Sequence, residues 1–194
     1  MSIKEERKIE IESNVDDFCN DCDFPVDAPI DVVAIARKKG FTVQRLNMDN
    51  DTTGMLLYSK DSNIAGLDTN KLIAVKNGLS EEQSRLILAH ELGHFSLFSE
   101  QTPLIAHRRY SHLKISSNEQ EADYFARALL MPEERVEALI HSLKENNHDD
   151  NSIIQKISET FNVTEAKAKI RFYEIEQRML INEENGETDT KDKG

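Results

Sequence analysis

The sequence has little cysteine. Only Cys19 and Cys22 are thiols among 194 residues, and both lie in "FCNDCDFP". A structural zinc site built on cysteine needs about four ligands, usually from a second pair, and no second pair exists. No thioredoxin-like strand context precedes the pair either. The expectation for both is unpaired thiols in a polar segment. The neighbouring acids Asp16, Asp17, Asp21 and Asp23 lack the spacing of a calcium loop.

Net positive charge is also missing. Against 24 Lys and Arg stand 36 Asp and Glu, a formal net charge of −12. Such a chain is not globally attracted to nucleic acid or to an anionic membrane. Long apolar runs are absent too. None reaches the roughly 18 residues that a membrane span needs. The opening "MSIKEERKIEIES" lacks the apolar core of a secretory signal. The expectation is a cytoplasmic protein with reduced thiols and no membrane partner. What is present, 38% hydrophobic and 31% charged residues over 194 residues, suits one globular domain, or one domain with an appendage.

Pattern and punctuation give the organisation. Residues 1–24 read as a polar N-terminal segment, with a frayed helix as one reading of the first dozen, and 183–194 as a disordered acidic tail. "DAPIDVVAIARKKG" reads as a helix with Pro29 in its first turn and Gly40 at its end. Strands are expected at 41–46, 54–59 and 71–76, mostly antiparallel. Ser80 can cap a helix running from Glu81 to about residue 98. A polar loop follows. Ser117 with Gln120 resembles a capping box for a helix over 118–130, which Pro132 stops before opening the next. Further helices are expected near 151–161 and 165–181, joined by "FNVT". The fold class is α+β, a small mainly antiparallel sheet on one helix, then an all-helical C-terminal part.

Chemistry concentrates in "LILAHELGHFSLF", where His90, Glu91 and His94 form H-E-x-x-H. Four residues apart on a helix, two imidazoles share one face and can reach one ion. Glu91 follows the first histidine, where its carboxylate can act as a general base. The surrounding leucines and phenylalanines mark a core helix. Burying two imidazoles and a carboxylate there costs free energy unless they are paired or metal-bound. Gly93 inside the helix is unfavourable by about 1 kcal/mol against Ala. It makes sense where something approaches closely.

A third ligand sets the subclass. A metzincin would carry glycine and histidine where Leu97 and Glu100 stand. The other source is "NEQEADYFARALLMP", with Glu119, Glu121 and Asp123. Glu119 and Asp123 lie four apart on one helical face. One can bind the metal while the other accepts a hydrogen bond from a ligand histidine. Glu121 points roughly 200° away around that helix and is expected to be a solvated acid or a rim residue. Zinc is the expected ion, although manganese or iron can occupy such a donor set.

H-E-L-G-H followed by N-E-x-E-A-D-x-F-A-x-x-L-L-M-P resembles the ImmA/IrrE family of zinc metallopeptidases, over roughly residues 25 to 135. The resemblance implies a zincin-like fold with one zinc per chain. His90, His94 and Glu119 would be the ligands, Asp123 the partner of a zinc histidine, and Glu91 the general base. It implies that "KLIAVK" is the strand nearest the cleft, offering its edge to substrate. It also implies a substrate class, helix-turn-helix repressors of the Xre type, whose cleavage relieves repression in a mobile element or a stress response.

Developing charge on an oxyanion needs a further donor. "HRRYSHLKISS", read as a loop, offers Tyr110 and His112, with His107 nearby. Tyr110 is placed like a tyrosine of thermolysin-like enzymes. Arg108 and Arg109 read as a solvated charge pair. The helices over 136–182 look like a helix-turn-helix. Residues 151–181 carry five Lys and Arg against four Glu, a balance of +1, so phosphate contacts would be few. The order of preference is a supporting hairpin, then a docking surface for a repressor, then DNA binding. A contrasting reading of the whole chain is a non-proteolytic regulatory module that binds a repressor or DNA. The intact His90, Glu91, His94, Glu119 and Asp123 favour the enzyme.

Overall fold

The computed structural model describes residues 3–22, 29–64, 66–100, 104–110 and 116–191; of 104–105, 107–110 and 182–191 it describes the backbone. The chain divides into two compact units, residues 1–130 and 131–194. The first holds α1 (Glu5–Cys19), α2 (Val32–Lys38), β1 (Thr42–Leu46), β2 (Thr52–Ser59), β3 (Lys71–Lys76), α3 (Glu81–Phe98), β4 (Leu104–Tyr110) and α4 (Ser117–Leu130). The second holds α5 (Glu133–Glu145), α6 (Asp150–Phe161) and α7 (Glu165–Lys191). This is an α+β fold with an all-helical C-terminal part. Among the described residues no helix is long and apolar enough to cross a membrane.

The sheet has four strands in the order β1-β3-β2-β4. β1 and β3 run parallel; β2 is antiparallel to both β3 and β4. The "KLIAVK" strand is therefore interior. Ile73 faces Val43 on one side and Leu56 on the other. Leu72, Ile73, Ala74 and Val75 are all buried, and a continuous apolar run is what a strand covered on both faces shows. The expected free edge of "KLIAVK" does not exist, because both of its ladders are used. The outer strands are β1 and β4.

β4 lies in the stretch expected to be a loop. Its ladder is supplied by β2, from Leu104 opposite Ser59 to Tyr110 opposite Thr52. β2 itself starts two residues before the expected strand, and its register shifts between Thr52 and Gly54. Burial alternates along it, with Thr52, Gly54, Leu56 and Tyr58 covered. That alternation is the period of two expected of a pleated strand.

Helix ends follow side-chain caps. Asp31, not Pro29, starts α2: its Oδ1 accepts from the N–H groups of Val33 at 3.1 Å and Ala34 at 2.9 Å. Gly40, with φ +85°, ends that turn in a conformation that suits glycine. Ser80 and Gln83 form a reciprocal capping box on α3. On α4 the cap is Ser116 rather than Ser117; its Oγ accepts from the Glu119 N–H at 3.3 Å.

The segment expected as a polar appendage forms α1 of the first unit. Ile11, Val15 and Cys19, four residues apart, are buried, and α1 packs on α3 and α4. Cys19 is thus a core residue, while Cys22 is half-buried; both are free thiols. Burial, helped by the neighbouring Cys22, pushes the Cys19 thiol up to about 12.

In the second unit, Val136, Ile140, Ile153, Ile157, Phe161, Phe172 and Ile175 form the core. Asn162 takes the left-handed conformation that ends α6. Arg171 is fully buried and donates from Nε to the Met131 carbonyl at 3.0 Å, so its charge is engaged within this unit. The stretch 183–194, expected as a tail, falls in the last turns of α7 and beyond.

Candidate metal centre

α3 presents His90, Glu91 and His94, which are 0%, 0% and 6% exposed. One helical turn separates the two imidazoles. Their rings meet edge to face at 4.7 Å between centroids, and their Nε2 atoms are 3.0 Å apart. α4 crosses α3 at Gly93. A Cβ at Gly93 would stand 3.2 Å from both Cα and O of Ala122 and 3.1 Å from a Phe125 ring carbon. The missing side chain lets the α4 backbone approach, and Glu119 and Asp123 on that helix then reach the histidines.

Glu119 meets both of them. Its Oε1 is 3.1 Å from His94 Nε2 and its Oε2 is 3.3 Å from His90 Nε2. Asp123 Oδ1 lies 2.9 Å from His90 Nδ1. With Nδ1–H donating to that carboxylate, the His90 Nε2 lone pair points toward His94 and Glu119. Among the described residues His90, His94 and Glu119 form the one group of three donors that could hold a metal ion.

The donor set fits such an ion. Four-coordinate zinc with bonds of about 2.0–2.1 Å requires its ligand atoms about 3.3 Å apart. The three separations here are 3.0, 3.1 and 3.3 Å. Two imidazole nitrogens and a carboxylate turning their lone pairs to one buried point are costly unless a cation takes them. Nitrogen and oxygen donors suit zinc, and manganese or iron as well.

Glu91 stays outside this triangle and turns toward the sheet. A Cβ built at Gly54 would lie 3.0 Å from Glu91 Oε1 and 2.4 Å from the Ile87 Cγ2 methyl. Only glycine leaves room for α3 and the Glu91 carboxylate against β2. Sequence reading missed Gly54, although a glycine inside a strand is a recognised sign of close backbone approach.

Behind His94, Phe95 packs edge to face on Phe41 at 4.9 Å and on Tyr58 at 5.0 Å. The Lys71 ammonium sits 4.6 Å from the Phe95 ring centre and donates to the Lys39 carbonyl at 3.0 Å. Burial, with Lys39 nearby, lowers the Lys71 pKa. This cluster anchors the last turns of the histidine helix from below.

The other candidates fall as follows. Glu121 is not a solvated acid: its side chain is 18% exposed and its Oε2 accepts from Arg7 Nη2 at 2.6 Å and Nε at 3.0 Å. It faces away from the histidines, and what it faces is α1. Tyr110 ends β4 opposite Thr52, and its side chain lies outside the described residues. His112 lies outside them altogether. His107, Arg108 and Arg109 belong to β4 rather than to a loop.

A small mixed sheet lying on an H-E-x-x-H helix, with a carboxylate helix crossing it, is the framework of a zincin-like peptidase domain. Residues 36–173 match the peptidase family M78, IrrE N-terminal-like domain. The match spans well over half of the chain, which belongs to this family. Among solved structures the chain is similar to a Mycobacterium tuberculosis transcriptional regulator, with a TM-score of 0.50 and 16% sequence identity over 84% of this chain. At that identity the likeness is one of fold alone. The chain spans 47% of that structure's length, about half. No curated protein matches the chain.

Proposed function

We propose that this protein is a zinc-dependent endopeptidase that cleaves a helix-turn-helix repressor of the Xre type. The observation that carries the reaction class is the division of labour on α3 and α4. Three donor atoms converge at 3.0 to 3.3 Å, and a fourth group, the buried Glu91 carboxylate, follows His90 on the same helix without belonging to that set of three. A module that only binds a partner has no need of that fourth group.

Zinc, held by His90, His94 and Glu119, would supply Lewis acidity toward water and toward a peptide carbonyl. Glu91 accepts the proton of the attacking water and passes it to the leaving amine. Asp123 holds His90 in the tautomer that leaves Nε2 free for the ion, as carboxylate partners of ligand histidines do. Gly54 keeps the Glu91 carboxylate in place from the sheet side. Tyr110, at the end of β4, is the preferred donor to the developing oxyanion and His112 the second choice.

β4 takes the role first assigned to β3. It is the outer strand beside β2 among the described residues, so a substrate strand can add to its outer edge by main-chain hydrogen bonds. The repressor assignment rests on the family resemblance of the two motifs. It fits a chain of net charge −12, which acts more readily on a DNA-binding protein than on DNA. The second unit is read first as a supporting helical hairpin and second as a docking surface for that repressor.

The test of the site is metal stoichiometry. Metal-free protein titrated with zinc takes up one equivalent. Glu119→Ala weakens uptake far more than Glu121→Ala. The reverse order overturns the ligand assignment.

A further inference from the structure

α4 has two working faces. One carries Glu119 and Asp123 to the histidines. The other carries Glu121, Tyr124 and Phe125 to α1. Arg7 reaches Glu121 through two N–H donors, at 2.6 and 3.0 Å. The fully buried Tyr124 donates its hydroxyl to Glu12 at 2.7 Å. Phe125 meets Phe18 edge to face at 5.7 Å. α1 also binds α3: Ser96, two residues past His94, donates to Asn14 Oδ1 at 2.6 Å. One helix therefore ties both helices that carry the proposed ligands. It does so with charged and hydroxyl groups at fixed register, which define a helix's rotation better than apolar packing alone. α1 lies outside residues 36–173, the stretch matched to the family.

We infer that α1 is a brace that sets the rotation of α4, so that Arg7 and Tyr124 are positioning residues for the metal ligand Glu119 and for Asp123. The inference rests on the proposed metal site. Physically, Glu121 is two residues from both Glu119 and Asp123. Two guanidinium donors on the one Glu121 oxygen Oε2 tether that side chain to α1, and with the Tyr124 hydroxyl on Glu12 they hold α4 at two points against rotation. The ligand triangle has edges of 3.0 to 3.3 Å, and a rotation of α4 by a fraction of a residue step changes two of those edges together. Groups that orient ligands directly are worth about 10- to 100-fold in metal affinity. The brace acts one step further out, so its effect is smaller, about 3- to 10-fold.

The experiment uses the full chain with cobalt(II) as the spectroscopic probe and zinc in chelator competition. Arg7→Met, Tyr124→Phe and the double variant are compared with wild type, and Arg7→Lys serves as the conservative rescue. The thermal midpoint of each metal-free protein is measured in parallel. The expected result is a graded loss of zinc affinity, largest in the double variant, with altered visible cobalt bands and partial recovery in Arg7→Lys. Tyr124→Phe keeps the buried ring, so the comparison survives if Arg7→Met folds poorly. Wild-type affinity and cobalt bands in the folded variants overturn the brace, even where the thermal midpoint falls. A wild type that takes up no metal overturns the proposed function itself, and the brace with it.

Discussion

Gly54 and Glu91 are matched across the sheet–helix interface. The space a glycine leaves in β2 is the space the Glu91 carboxylate and Ile87 occupy, with a Cβ at position 54 falling 3.0 Å from Oε1 and 2.4 Å from the methyl. Both contacts are too short for an unshifted structure. The proposed base is thus held by an absence in the neighbouring strand.

Gly54→Ala follows from this relationship. Overpacking of this kind costs about 1–3 kcal/mol. The variant is expected to unfold earlier in denaturant, to retain one zinc, and to lose peptidase activity because Glu91 is displaced. Zinc content and cleavage rate on the same preparation check it. A wild-type rate would show that the contact does not hold the base.

Gly93→Ala probes the other glycine. Helix propensity alone favours Ala by about 1 kcal/mol. Against that, the new methyl meets Ala122 backbone atoms at 3.2 Å, which can yield only by moving α4. A net loss of stability and weaker zinc binding are expected, read by thermal melting and chelator competition. A gain in stability with intact metal affinity would show that the crossing has slack.

Asp123→Ala removes the partner of His90 Nδ1, 2.9 Å away. A fall in zinc affinity of about 10- to 100-fold is expected, with the fold retained in circular dichroism. An unchanged dissociation constant would mean that the His90 tautomer is set elsewhere.

The two thiols differ in access. Burial holds the Cys19 pKa up at about 12, so the thiol form persists through neutral and mildly alkaline pH. Folding therefore gains from this group below its unfolded pKa of about 8.5, and loses that gain as pH rises toward 12. Alkylation at pH 8 should label the half-buried Cys22 first and Cys19 only after unfolding. Mass spectrometry of the digested adduct decides. Equal labelling would contradict the packed position of Cys19.

The parts legible in the sequence are those where spacing and chemistry coincide. H-E-x-x-H lies on one helix with its Ser80 cap, and Glu119 and Asp123 share a face because four residues separate them. β3 was visible as a strand, but not its central place, because an apolar run does not say which strands flank it. β4 was hidden: "LIAHRRY" has the polarity of a loop, and pairing with β2 makes it a strand. α1 was visible only as a frayed helix over the first dozen residues, for a related reason. Its buried stripe is only Ile11, Val15 and Cys19, and the polar residues Arg7, Glu12 and Asn14 find partners, Glu121, Tyr124 and Ser96, that are distant in sequence. Glu121 was assigned the direction away from the histidines, as a solvated acid or a rim residue, and its Arg7 partner was missed for the same cause.

Glu91 is the group proposed to turn the metal site into a peptidase. The direct measurement is cleavage of a helix-turn-helix repressor of the Xre type by zinc-loaded wild type and zinc-loaded Glu91→Gln, with products identified by mass spectrometry. One zinc in each protein, new peptide termini with wild type, and none with Glu91→Gln are expected. Equal cleavage by the two proteins would contradict that role for Glu91.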